Sequence, residues 1–141
     1  VNEYSDAKRL GRDDIFGLDV DVLIPASVTD VVNEKNKDAI KAKIIVEGAN
    51  IPMREDIEKE LFNRGVLIVP DFVANAGGVI SSYAEYRGYN SKKMFDLVER
   101  KIKNSTRLVL GQSIAFNKNP RETALVIAKE KMEKSMDKIK I

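Results

Sequence analysis

Pro70-Asp-Phe-Val-Ala-Asn-Ala-Gly-Gly-Val-Ile-Ser-Ser-Tyr-Ala-Glu-Tyr86 is the stretch whose reading decides the fold. It follows Val66-Leu-Ile-Val69, a short apolar run with the composition of a buried strand. Pro70-Asp71 makes a polar corner, and the pattern predicts a helix from near Ala76. Asn75, Val79, Ser82 and Tyr86 are spaced to share one helical face, so an amide, a small apolar group, a hydroxyl and a phenol look into one space. Gly77 and Gly78 fall in the first turn, where each costs about 1 kcal/mol against alanine in a helix interior. Either a ligand approaches the backbone closely there, or the glycines let the helix lie tight against a sheet.

The chain before this stretch repeats the same alternation. Val1 to Arg9 is polar and reads as irregular, and Arg12-Asp-Asp-Ile-Phe16 reads as one helical turn ended by Gly17. Val20-Asp-Val-Leu-Ile24, closed by Pro25, is a second candidate strand, with Ala26-Ser-Val-Thr29 as the loop at its C-terminal end. Asn33 to Ile40 is charged and predicts a short surface helix anchored by Ala39 and Ile40. Ala42-Lys-Ile-Ile-Val46 is another strand, ending in the corner Glu47-Gly-Ala-Asn50. Met53, Ile57, Leu61 and Phe62 have helical spacing, and Gly65 suits a left-handed cap.

After the stretch the chain is helical. One run spans Lys92 to Phe116. A second begins at the cap Asn119-Pro120, with a stripe of Leu125, Ala128, Met132, Met136 and Ile139 read as core or interface. The alternating charges from Lys129 to Lys140 read as a solvated face. Strand, helix, strand, helix, strand, helix is the order of an α/β fold with a parallel sheet. Ligands in such sheets bind beyond the C-terminal ends of the strands, where Pro25-Ala-Ser27, Glu47-Gly-Ala-Asn50 and Asp71 to Asn75 all lie.

Composition narrows the chemistry. The 141 residues match one domain by length and carry a net charge of +2, too small to argue for nucleic acid or an anionic membrane as partner. No apolar run reaches a membrane span of roughly 18 residues. The absence of cysteine excludes thiolate nucleophiles and disulfides and agrees with a cytoplasmic address. With no histidine either, a serine–histidine triad and a histidine metal site are ruled out, and no cluster of carboxylates has metal-ligand spacing. The sequence opens on Val1 rather than methionine and is read as part of a longer chain.

Three blocks carry a resemblance. Asp21-Val-Leu-Ile-Pro-Ala-Ser27, Lys43-Ile-Ile-Val-Glu-Gly-Ala-Asn50 and Ala74-Asn-Ala-Gly-Gly-Val79, the last followed by Ser82-Tyr-Ala-Glu85, resemble in this order the glutamate/leucine/phenylalanine/valine dehydrogenase family. The resemblance is clear from Ile15 to Glu85 and loose beyond. It implies a partial Rossmann-like sheet. Residues 1–90 would be the second half of an NAD(P)-binding domain, and residues 91–141 a C-terminal helical segment packing on it. It further implies reversible oxidative deamination of an amino acid with hydride transfer to NAD or NADP, no nucleic acid or membrane partner, and a homo-oligomer, usually a hexamer.

Residue by residue, the resemblance places Asn50 and Asn75 at the nicotinamide ribose and carboxamide. An asparagine suits this because one side chain offers a donor and an acceptor. It places Ala26 and Ser27 along the cofactor ribose, Val79 against substrate and nicotinamide, and Ser82 at the substrate side chain. A serine there binds the carboxylate of glutamate, whereas an apolar residue stands there in the leucine, valine and phenylalanine enzymes. An unpaired buried hydroxyl costs about 1–3 kcal/mol, which favours glutamate. Ser81, Ala84 and Tyr86 depart from the residues usual in glutamate dehydrogenases, and Gly88-Tyr-Asn90 resembles the branched-chain enzymes.

No Gly-x-Gly-x-x-Gly turn occurs. The family's catalytic lysine and aspartate belong to an N-terminal domain, so no catalytic residue is assigned here and the 141 residues alone are expected to be inactive. The alternative of another class is a non-catalytic nucleotide-binding or assembly module.

Overall fold

The computed structural model describes residues 9–11 and 13–137. Three short strands form one parallel sheet: β1 Val22–Leu23, β2 Ile44–Val46 and β3 Leu67–Val69, in the order β1-β2-β3. Val22 pairs with Ile44, and Ile44 with Leu67. The strands are shorter than the apolar runs that predict them. Among the described residues the α-helices are α1 Glu55–Asn63, between β2 and β3, and then α2 Asp71–Ala74, α3 Gly77–Tyr86, α4 Ser91–Phe116 and α5 Pro120–Asp137.

Alternation along the strands sends side chains to two cores. On one face Leu23, Ile45 and Ile68 pack with Val32, Met53, Ile57 and Leu61. On the other, Val69 joins Val73 of α2, Val109 of α4, and Ala124 and Ile127 of α5. At the edge strand β1 the second face is left open among the described residues, with Val20, Val22 and Ile24 exposed.

Helix ends follow the capping residues. Gly65 has φ +92, the left-handed position expected of it. Asn90 Oδ1 accepts from Lys93 N at 2.9 Å at the start of α4, and Asn117 ends α4 with φ 49. Asn119 Oδ1 accepts from Arg121 N at 2.8 Å, with Pro120 as the first residue of α5.

Four expectations are corrected. The surface helix over Asn33 to Ile40 is a single 3-10 turn, Lys37–Ala39. Its place is taken by a side-chain knot, in which buried Asn36 accepts from Asn33 N and donates to Val31 O. Asparagine side chains compete with helical backbone bonds in this way. The helix after Pro70 is two pieces, with Asn75 and Ala76 between α2 and α3, so Asn75 precedes the helical face rather than sharing it. The buried face of α5 is Pro120, Thr123, Ala124 and Ile127, while Leu125, Met132 and Met136 are exposed. Packing of the first turns against β3 and α4 sets that rotation, not the apolar stripe. The turn near Phe16 is Asp14–Gly17, and it includes Gly17. Arg12, Val1 to Lys8 and Ile139 lie outside the described residues.

The corners after β1 and β2 touch. Ala49 N donates to Pro25 O at 2.9 Å. A Cβ on Gly48 would stand 2.9 Å from Ala26 Cβ and 3.5 Å from Ile24 Cγ2. Gly48→Ala is therefore expected to cost about 1–3 kcal/mol, as overpacking does. A lowered urea midpoint checks this, and Ala26→Gly in the same chain is expected to restore most of it.

Candidate functional site

A cleft of about 930 Å³ opens where the strands end. Ser27, Val28 and Thr29 line it from the loop after β1, Gly48 to Asn50 from the corner after β2, and Asn75, Gly78, Val79 and Ser82 from the segment after β3. Five of the six residues singled out by sequence thus meet in one place. Ala26 is not among the lining residues; it packs against Gly48 at the margin. Tyr86, one turn beyond Ser82, is 87% exposed and also outside the lining.

Asn75 Nδ2 donates to Asn50 Oδ1 at 2.7 Å. That bond uses one donor and one acceptor of the pair. Each amide keeps its other polar atom for a ligand. Thr29 Oγ1 donates to Asn50 O at 3.0 Å, tying the first loop to the second. Ile51, next to Asn50, has φ 48, a conformation that β-branched residues rarely adopt. It is held there from both sides, because Ile51 N donates to Asp71 Oδ2 at 2.9 Å and Asp30 N donates to Ile51 O at 3.0 Å.

Gly77 and Gly78 have different surroundings. A Cβ on Gly77 would meet Val98 Cγ1 of α4 at 3.4 Å, whereas nothing lies within 4 Å of one on Gly78. Helix packing thus accounts for Gly77 and leaves Gly78 as an open part of the cleft wall. Val79 is 78% exposed. Ser82 is also exposed, and its hydroxyl donates to Gly78 O at 3.1 Å. The helix backbone thus satisfies this hydroxyl.

Behind the cleft lies a cluster that sequence reasoning missed. Arg121 of α5 reaches three carboxylates with one guanidinium: Glu58 Oε2 at 2.5 Å, Glu47 Oε2 at 2.7 Å and Asp71 Oδ1 at 3.1 Å. Glu47 Oε2 also accepts from Asp71 N at 2.8 Å. Glu47 and Glu58 are buried, and the Oε1 of each has no hydrogen-bond partner among the described residues. Burial, and then the charge of Glu58, push the Glu47 carboxyl from 4.5 up to about 7, against the pull of Arg121. Burial likewise raises Glu58, opposed by its hydrogen bond to Arg121. The one hint in the sequence was Glu58 itself, a carboxylate between the apolar positions Ile57 and Leu61. Nothing local marked Arg121.

The model of the glutamate/leucine/phenylalanine/valine dehydrogenase family matches residues 1–139. The chain belongs to this family. Among relatives, it is 36% identical over 146 residues to a glutamate dehydrogenase of Aeropyrum pernix, covering 96% of this chain and 35% of that protein. It is 42% identical over 91 residues to an NADP-specific glutamate dehydrogenase of Saccharolobus shibatae, covering 64% of this chain and 22% of that protein. The fold is shared with an L-tryptophan dehydrogenase from Nostoc punctiforme, at TM-score 0.80, 27% identity and coverage of 89% of this chain and 38% of that one. It is also shared with a hetero-hexameric glutamate dehydrogenase from Thermus thermophilus, at TM-score 0.79, 21% identity and coverage of 96% and 34%. The chain spans about a third or less of the length of the curated relatives it matches.

The raised Glu47 carboxyl makes stability depend on pH. The unfolded chain releases this proton near 4.5, while the folded chain keeps it to about 7. The contribution therefore falls as pH rises through that window and is level above it. Glu47→Gln keeps an oxygen for Asp71 N and Arg121 and cannot titrate. Urea unfolding at pH 5 and at pH 7.5 is expected to show a smaller stability difference in Glu47→Gln than in the unchanged chain.

Proposed function

We propose that these residues form the part of an amino-acid dehydrogenase that holds the nicotinamide end of NAD or NADP, and that the parent protein interconverts glutamate with 2-oxoglutarate and ammonia. The observation that carries the reading is the Asn50–Asn75 pair, at 2.7 Å, in a cleft at the strand ends. The pair retains the NH2 of Asn50 as donor and the Oδ1 of Asn75 as acceptor, the complement of a carboxamide or a ribose diol. The bare backbone at Gly78 lets a flat ring approach the wall.

In this reading a bound nicotinamide would supply the hydride acceptor, and the chain's residues would hold and orient it. Asn50 and Asn75 orient the carboxamide and ribose, with Ala26 and Ser27 flanking the ribose. Val79 packs beside the reacting carbon. Ser82 Oγ turns its hydrogen bond from Gly78 O to the substrate carboxylate, keeping its proton. Residues 1–90 act as the second half of the cofactor domain and residues 91–141 as the helical segment packed on it. The parent protein works in the cytoplasm as a homo-oligomer, a hexamer by analogy with the family.

A second reading, deamination of an apolar amino acid, is favoured by the same Ser82. Its hydroxyl is already satisfied by Gly78 O, and Val79 supplies apolar wall beside it.

The test follows reduced-cofactor formation by the native-length protein with glutamate, leucine, valine and phenylalanine, each with NAD and with NADP. Glutamate is expected to turn over fastest, and Ser82→Val is expected to shift kcat/KM toward leucine by roughly tenfold or more, the scale of one charge-assisted hydrogen bond. Preference for an apolar substrate in the unchanged protein supports the second reading, and no turnover with any pair refutes both. The isolated 141 residues are expected to give no turnover. Gly78→Ala separates binding from folding: the melting temperature is expected to rise, since alanine gains about 1 kcal/mol in a helix. Cofactor affinity is expected to fall, because the new methyl stands in the cleft wall.

A further inference from the structure

We propose that Arg121, which does not line the cleft, is the positioning residue that holds Asn50 and Asn75 at their mutual separation and thereby sets the affinity for a nicotinamide dinucleotide. The inference rests on the proposed cofactor role of the two asparagines.

The physical link runs through Asp71. One carboxylate oxygen of Asp71 accepts from Ile51 N, the peptide directly after Asn50. The other accepts from Phe72 N at 2.9 Å and from Arg121 at 3.1 Å. Asp71 O accepts from Asn75 N at 2.8 Å, so the same residue fixes the backbone of both asparagines. Glu47, three residues before Asn50, grips the Asp71 backbone N–H and Arg121 with one oxygen. Asp71 and Glu47, which link the two asparagine-bearing segments to each other, both bind the guanidinium, which lies 5.4 Å from the Phe72 ring centre.

Geometry makes arginine specific here. Its planar fork meets Glu58 with Nε and Glu47 and Asp71 with the two terminal nitrogens. A lysine ammonium keeps the charge but has no rigid fork. With one carboxylate poorly held, the corner at residues 47–51 is free to shift against Asp71. Ile51 adds to this, because its strained backbone relaxes once Asp71 Oδ2 no longer holds it.

The experiment compares Arg121→Lys with Ser113→Ala. Ser113 is buried and donates to Lys118 O at 2.6 Å, a bond that ties the end of α4 to the turn before α5 and includes no member of the cluster. Two readouts are taken on the native-length protein. They are the side-chain amide NMR signal of Asn75, which reports its bond to Asn50, and the dissociation constant for NADH and NADPH by fluorescence. Arg121→Lys is expected to shift the Asn75 signal and to weaken dinucleotide binding roughly tenfold, while Ser113→Ala lowers the melting temperature and moves neither. An Asn75 signal unchanged by Arg121→Lys, or dinucleotide affinity that merely follows melting temperature across both variants, overturns the proposal. Where Arg121→Lys does not fold, Asp71→Asn serves: it keeps the volume but presents an amide donor to Ile51 N or to Arg121, and the same two changes are expected. Failure of the unchanged protein to bind either dinucleotide removes the cofactor reading, and the Asn75 signal still decides the positioning claim.

Discussion

Arg121 brings one positive charge into a space occupied by Glu47, Glu58 and Asp71, and the C-terminal helix, α1 and the corners after β2 and β3 meet at that charge. Such an arrangement is poor evidence of stability for its own sake, because desolvating charges offsets much of their attraction. Removing a single partner is another matter: leaving carboxylates buried without the guanidinium costs about 3–5 kcal/mol. Burial raises both Glu47 and Glu58, and the charge of Glu58 pushes Glu47 further, against the pull of Arg121. What the cluster contributes beyond energy is a fixed relation between peptides that belong to different strands.

That relation explains the shape of the cleft. Strands of two or three residues are too short to hold their own C-terminal corners rigidly. The corners are instead pinned from behind by Asp71 and Glu47 and from the side by pairing of residues 29–32 with residues 50–52. Gly48 lets the first two corners touch, and the break at Asn75 and Ala76 turns the Asn75 amide toward Asn50. The strain at Ile51 is tolerated because both of its backbone polar groups are bonded.

Much of this was legible in the chain. The three strand runs, the Gly65 cap, the Asn119-Pro120 start and the long helix ending at Phe116 all lie where local pattern puts them. The blocks ending in Ser27, Asn50 and Asn75 do lie together at the strand ends, as parallel topology requires. The misreadings share one cause. Asn36 replaces a predicted helix with side-chain bonds, and α5 turns Thr123, Ala124 and Ile127 inward rather than the apolar stripe. In each case a partner outside the local window, or a backbone group competing with it, overrode the periodic pattern.

The sequence by itself determined the order of elements, their caps and the residue types waiting at each strand end, because these depend on steric and hydrogen-bonding preferences acting within a few residues. Tertiary structure alone decided which of them meet. The Asn50–Asn75 bond joins residues 25 apart, the Arg121–Asp71 bond residues 50 apart, and the Arg121–Glu47 bond residues 74 apart. No local propensity encodes such distances. They exist because the sheet and its two cores bring the corners and α5 to one point, where a single guanidinium binds one oxygen of each of three carboxylates.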